Sequence, residues 1–325
     1  MTGFRFWRTR EFGTGCVLLA MLLICEIASR ANTGSSFLFS SQLARLFHQD
    51  AAFVGIAAIG ACMVIISGGV DLSAGSVMSL AAVTFGTLFQ MQGMPAPLAL
   101  LGGVLAGGLV GTANGLLIGK VRLPPFIATL GFLSIARGIC YWVTGGPGIS
   151  ISWREHPFFL FPLLADSTGW AMVALGIGAA VLLARFSWGR YVYAVGGNEE
   201  ASRFSGLAVD WIKVGIYATA GLFSGLAGSA MALRFGSAYV AIASGYELKI
   251  IAACAIGGIS FAGGEGSVTG ALLGAVTLSV LENLLIQLRV KPEYIEIAYG
   301  SAIILAVSID LHGREIAKWL GRKRT

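Results

Sequence analysis

The chain is predicted to be an all-α, polytopic transmembrane helical bundle of about ten spans, folded as one domain over residues 1–325. Three observations predict it. Hydrophobic residues make up 56% of the chain and charged residues only 12%, with a mean hydropathy of +0.80. A soluble domain carries about 25% charged residues, so there is too little polar surface here to clothe a globule in water. Apolar runs close to the ~20 residues that a bilayer demands recur along the whole length. Many of the 46 glycines also fall at four-residue intervals inside those runs, where they let helices approach closely.

The spans are read at 12–28, 51–67, 73–90, 97–119, 124–143, 168–185, 212–233, 247–262, 267–288 and 293–310. Those at 51–67 and 247–262 are short, which leaves eight to eleven spans open. The first follows Arg5, Arg8 and Arg10 and is read as a retained helix, because signal sequences are not followed by nine further spans. Orientation comes from the basic residues. With the N-terminus inside, Arg5, Arg8, Arg10, Lys120, Arg122, Arg185, Arg190, Arg203, Lys213, Arg314, Lys318, Arg322, Lys323 and Arg324 fall on the cytoplasmic side. Arg30, Arg45, Arg154, Arg234, Arg289 and Lys291 fall outside, fourteen against six, which places both termini in the cytoplasm. The net charge of +6 is thus a feature of topology. The basic tail 311–325, with Trp319, reads as an interfacial anchor and not as a nucleic-acid site.

Cys16, Cys25, Cys62, Cys140 and Cys254 lie in apolar spans without a C-x-x-C pair and read as small buried hydrophobes. His48, His156 and His312 are scattered, so no metal constellation is expected. The nearest approach to a phosphate-binding loop is Gly115–Lys120. Asn114 stands there in place of the first glycine and Val121 in place of the magnesium-holding Ser or Thr, so ATP would have to be bound by another chain.

Gly103, Gly107, Gly111, Gly115 and Gly119 form one smooth face, and Gly221, Gly225 and Ser229, and Gly270 and Gly274, form others. Such faces serve intramolecular packing, with a subunit interface or a sliding face as the alternatives. Two passages read as helix breaks, Ser67–Ser76 and Gly257–Ser267. Each carries one acid among glycines and shares G-G-x-acid-…-G-S-V, ending at Val77 and Val268, a pattern that suggests duplicated halves. Asp71, Ser73 and Ser76 can cap the following helix or, because irregular backbone at membrane depth tends to line a cavity, lie on a solute path or gate it.

The segment from Arg185 to Lys213 is the one long polar passage. Glu199, Glu200 and Arg203 sit on a short helix opened by Asn198 as N-cap and closed before Gly206. It reads either as a solvated loop or as an element gripped by a partner. Glu200-Ala201-Ser202, three residues and Gly206 resemble the EAA-x3-G loop of ABC importer permeases. GGVDLSAGS, NGLLIGKVRLPPFIATLG with Ala136-Arg137-Gly138, YAVGGNEEASRFSGL and IGGISFAGGEGSVTGALLGA resemble, in order, four blocks of the sugar-type branch of that family, the ribose/arabinose/galactoside permeases. The matches run from about residue 51 to Asp310. Ser202 and Ala74 depart mildly from the family pattern, and Glu282-Asn283-Leu284-Leu285 replaces a common Asn-Gly pair.

The resemblance implies a non-enzymatic, inner-membrane permease subunit without a cofactor of its own. It would work with a cytoplasmic ABC ATPase, a periplasmic solute-binding protein and a second permease subunit, identical or a sister chain. Asn198, Glu199, Glu200, Ala201, Arg203, Phe204 and Gly206 would carry the ATPase contact, Gly206 through a positive φ or a close approach. Asp71, Ser73, Ser76, Asn114, Arg137, Glu282 and Asn283 are the path or gating candidates. Arg137 and Glu282 lie inside spans and read as functional candidates by default, or as structural ones if they pair across the bundle. Asn114, Thr129, Ser134 and Asn283 offer neutral hydrogen-bonding groups, to a polyhydroxyl solute or to neighbouring helices. The sequence leaves a nucleoside, a polyol or a furanosyl signalling molecule open as solute. An ion-coupled secondary carrier is disfavoured because no acid/histidine relay is present.

Overall fold

The computed structural model describes residues 10–152 and 167–301 except 292 and 296, together with 304, 305 and 308. The chain is helical: α1 (Arg10–Thr33), α2 (Ser41–His48), α3 (Asp50–Ile66), α4 (Ala74–Gly86), α5 (Ala96–Gly119), α6 (Pro125–Thr144), α7 (Thr168–Arg185), α8 (Ser187–Gly197), α9 (Glu199–Phe204), α10 (Val209–Phe235), α11 (Tyr246–Ile256) and α12 (Val268–Gln287). α4 continues into a π-helical turn at Thr87–Met91. Two short strands, β1 (Ile149–Ser150) and β2 (Ser237–Ala238), pair antiparallel at the end of the bundle opposite α9.

Eight helices among the described residues are long and apolar enough to cross a membrane, within the eight to eleven that the sequence allows. The 51–67 span extends backwards through α2, so that Ser41–Ile66 crosses as one unit bent at Gln49. The 247–262 span stops at Ile256, because the apolar run continues through glycines that turn the chain. The span at 293–310 lies partly, and the tail at 311–325 wholly, outside the described residues, as do His156, Arg154 and His312.

α3 is apolar on every side and buried almost throughout, as a central helix must be. α10, α12, α11 and α7 pack around it, whereas α1 and α6 turn most of their surface outward, carrying Leu19, Ile27, Ile135 and Trp142 where lipid would lie. Cys25, Cys62, Cys140 and Cys254 are buried as expected. Cys16 is not: it sits on the outward face of α1.

The glycine faces explain the centre of the bundle. α5 and α10 run antiparallel, and their seam is built backbone to backbone. A Cβ on Gly107 would collide with the Gly221 carbonyl, and one on Gly119 with that of Asp210. One on Gly115 would come within 2.6 Å of Val214 Cα. Gly274 and Gly270 pack in the same way against Ala253 and Gly257. These faces are intramolecular packing surfaces. Gly115–Lys120, the imperfect phosphate-loop match, is the last turn of α5 with Lys120 as its C-cap.

Candidate functional site

α9 is set by local chemistry. The Asn198 side chain accepts a hydrogen bond from the Ala201 amide at 2.9 Å, satisfying one of the free donors of the first turn. At the other end, the Gly206 amide donates to the Arg203 carbonyl and the Leu207 amide to the Ser202 carbonyl, both at 3.1 Å. That is a Schellman stop with glycine at φ +84°. A Cβ at Gly206 would meet nothing within 4 Å, so backbone conformation and not crowding within this chain selects glycine there.

The helix has two faces. On one, Ser202 is buried and the charges are tied down: Lys213 Nζ lies 2.7 Å from Glu199 Oε2, and Arg203 lies 2.8 Å from Asp210 and 3.4 Å from Glu199. Burial works against the Glu199 carboxylate, but the Lys213 and Arg203 contacts outweigh it and hold its pKa below the ordinary value. The bond to Asp210 chiefly raises the Arg203 pKa. Because the Glu199 pKa is depressed, its anchoring of α9 to α10 is present at neutral pH. It is lost only as pH falls through that depressed carboxylate pKa. On the other face Glu200, Ala201 and Phe204 point outward, Phe204 with 89% of its surface exposed. The helix is thus fixed from behind and leaves an aromatic ring bare beside a carboxylate on its outer face.

The path candidates fall into two groups. Near the first break, Asn114 Nδ2 donates to Ser73 Oγ at 3.0 Å, and Ser73 Oγ donates to Asp71 Oδ1 at 2.6 Å. Asp71 also accepts from the Ser73 amide at 2.8 Å, while Ser76 Oγ donates to the Ser73 carbonyl. Asp71 therefore orders the turn before α4 rather than capping the helix amides, and Ser73, the N-cap residue, makes no capping bond with its side chain. All four residues are buried, and Asn114 Oδ1 has no hydrogen-bond partner. Thr129 donates to the Pro125 carbonyl and Ser134 to that of Leu130, both within their own helix.

In the second group each charged residue has a partner other than the one the sequence left open. Arg137 does not pair with Glu282. It lies 3.4 Å from Glu247, whereas Glu282 lies 3.1 Å from Lys249. Asn283 accepts from Gln287 and Gln42, tying α12 to α2. Tyr246-Glu247-Leu248-Lys249 opens α11 and so supplies both missing partners. The signal was the one already applied to Arg137: an ionisable residue inside an apolar run needs a counter-charge. A double-mutant cycle for Arg137→Gln with Glu247→Gln is expected to give a coupling of about 0.5–3 kcal/mol. The cycle with Glu282→Gln should be additive within about 0.5 kcal/mol, both read by thermal unfolding in detergent.

A helical bundle that presents a capped, anchored helix with a bare outer face, and holds Arg137 and Glu282 each in an ion pair inside the spans, has the build of a membrane transport permease. Residues 47–307 match the family described as branched-chain amino acid transport system / permease component, and the chain belongs to that family. The ribose import permease protein RbsC of Escherichia coli (strain K12) is 34% identical over 299 residues, covering 90% of this chain and 92% of that protein. The fructose import permease protein FrcC of Rhizobium meliloti is 33% identical, covering 93% and 86%. The autoinducer 2 import system permease protein LsrC of Yersinia enterocolitica is 32% identical, covering 91% and 82%. No solved structure matches the chain.

Proposed function

We propose that the chain is the membrane-spanning permease subunit of an ATP-driven importer for a monosaccharide or similar small polyhydroxyl solute. The outer face of α9 carries this reading: Glu200, Ala201 and Phe204 form a compact patch for a cytoplasmic ATPase, while Glu199 and Arg203 fix the helix to α10 from behind. ATP is bound and hydrolysed by that partner, and this chain holds no cofactor. A periplasmic binding protein delivers the solute to the far side. A second permease subunit, identical or a sister chain, completes the path in the inner membrane.

Orientation follows from the basic residues. Lys120, Arg122, Arg185, Arg190, Arg203 and Lys213 belong to the segments at the α9 end, and the positive-inside rule supports a cytoplasmic α9 and, with the basic residues of both ends of the sequence, cytoplasmic termini. Two of the three similar permeases carry a sugar in their names and the third carries autoinducer 2. Their identities, 34%, 33% and 32%, rank none of these solutes above the others.

Truncation of Phe204 to alanine is expected to weaken ATPase binding about tenfold or more, as loss of an exposed aromatic anchor does. Titration of purified ATPase against the permease in nanodiscs measures it; binding as tight as that of the unchanged chain would remove the outer face of α9 from the contact. Uptake of tritiated ribose and fructose by proteoliposomes holding the permease, its ATPase and its binding protein tests the solute class. ATP-dependent uptake of either supports a sugar, and exclusive uptake of a nucleoside or a polyol replaces it.

A further inference from the structure

The two helix breaks meet in space, and the end of α8 is set into their seam. α3 and α11 stop in the same way. Gly68 donates to the Ile65 carbonyl and Gly69 to that of Val64, while Gly258 donates to Ala255 and Ile259 to Cys254. Gly68 and Gly258 hold the same left-handed conformation, each with φ +80°. The two turns are therefore equivalent with Ser67-Gly68 opposite Gly257-Gly258, one position away from the register that the shared G-G pattern suggests.

Beyond these turns the breaks are joined directly, by the Gly264 amide donating to the Ile66 carbonyl at 2.8 Å. Gly196 lies beside that bond. A Cβ on it would collide with the Ile66 carbonyl and lie 2.7 Å from the Gly264 nitrogen. From the second break, a Cβ on Gly263 would lie 2.6 Å from the Gly196 oxygen and 3.2 Å from Gly68 Cα, and one on Gly264 would lie 2.9 Å from Gly197 Cα. One turn earlier in α8, Tyr193 Oη donates to the Gly266 carbonyl at 2.8 Å. One residue later, Asn198 caps α9 and donates its own amide to Ala194, so α8 and α9 form one continuous hydrogen-bonded unit.

We propose that Gly196, together with Tyr193, is a positioning residue through which displacement of α9 moves both helix breaks at once. The proposal rests on the reading of α9 as the ATPase contact and extends it to the route of the movement. Its physical basis is the absence of side chains at the junction. A rotamer can turn to absorb a small displacement, but backbone packed on backbone has no such freedom and passes the displacement on. α4 and α12 both start from the breaks, so the same movement reorients the helix that follows each one.

The test is hydrogen–deuterium exchange, by mass spectrometry, on the complex of full-length permease and its ATPase in nanodiscs, with and without AMP-PNP. In the unchanged chain AMP-PNP is expected to alter exchange at α9, at 67–73 and at 257–267 together, by about threefold or more. Tyr193→Phe keeps the ring but removes its bond to Gly266. It is expected to speed exchange at 257–267 about fivefold and to abolish the AMP-PNP response there while leaving that of α9 intact. Gly196→Ala is expected to uncouple both breaks. Gly197→Ala, whose Cβ would meet nothing within 4 Å, is expected to behave as the unchanged chain. Where Gly196→Ala does not accumulate, Tyr193→Phe decides.

A response at α9 with none at the breaks, or a full response at 257–267 in Tyr193→Phe, overturns this proposal and leaves the ATPase contact standing. An unchanged chain that binds no ATPase removes the contact itself and the proposal with it.

Discussion

A Gly206→Val variant is expected to insert into the membrane normally and to import almost nothing. Gly206 holds φ +84° to close the turn after α9, and valine, with its branched Cβ, is strained there by about 1–3 kcal/mol. That strain falls on two hydrogen bonds that end a helix of only six residues, Gly206 to Arg203 and Leu207 to Ser202. The helix can relieve it only by fraying, which displaces Phe204 and frees Arg203 from Asp210. Nothing within 4 Å of the added Cβ belongs to the bundle, so the spans themselves are untouched. Uptake in proteoliposomes should fall about tenfold or more, the equivalent of 1.4 kcal/mol, with membrane yield unchanged. Gly206→Ala should keep more activity, since its strain is smaller. Uptake by the valine variant equal to that of the unchanged chain would remove α9 from the transport cycle.

Gly111→Leu is expected to do the opposite, leaving α9 intact and destroying the bundle. A Cβ at position 111 would meet the Tyr217 carbonyl and lie 3.0 Å from Gly221 Cα, so the obstacle is the backbone of α10 and no side chain can move aside. Overpacking of this kind costs about 1–3 kcal/mol where side chains can shift, and more where they cannot. The folded fraction in detergent, read by size-exclusion chromatography and thermal unfolding, should collapse. Gly131→Leu on α6 is the matched control, because nothing lies within 4 Å of its Cβ. Equal yields for the two variants would contradict the α5–α10 seam.

These two glycines also show what a sequence discloses. α9 was legible because its determinants are local: an Asn198 cap, charges within one turn and a glycine stop lie inside nine residues. The Gly103–Gly119 face was equally plain, since one-sided small residues demand a close neighbour, and Gly221–Ser229 was the matching surface. Partnership over distance was not legible. Arg137 pairs with a residue 110 positions away, and the chain offers several carboxylates of equal apparent merit. The span at 247–262 was overextended for a related reason. Residues 257–262 are nearly as apolar as a helix, but they form turns, and the loop they open is held by backbone bonds from Ser260 to Glu265 within it and from Gly264 to Ile66 across it. Hydropathy records that such a segment is buried and says nothing of its conformation. The meeting of the two breaks at Gly196 belongs to the same class, because no local pattern in the sequence brings three glycine pairs together.

The central claim is that α9 is the seat of a separate ATPase. The direct measurement is purification of the tagged chain from its native host in mild detergent, with mass spectrometry of what accompanies it, for the unchanged chain and for a Glu200→Ala/Phe204→Ala variant. The account expects an ABC ATPase with the first and its loss from the second, with equal recovery of the permease. A chain that comes alone and drives uptake into liposomes from an ion gradient without ATP would contradict it.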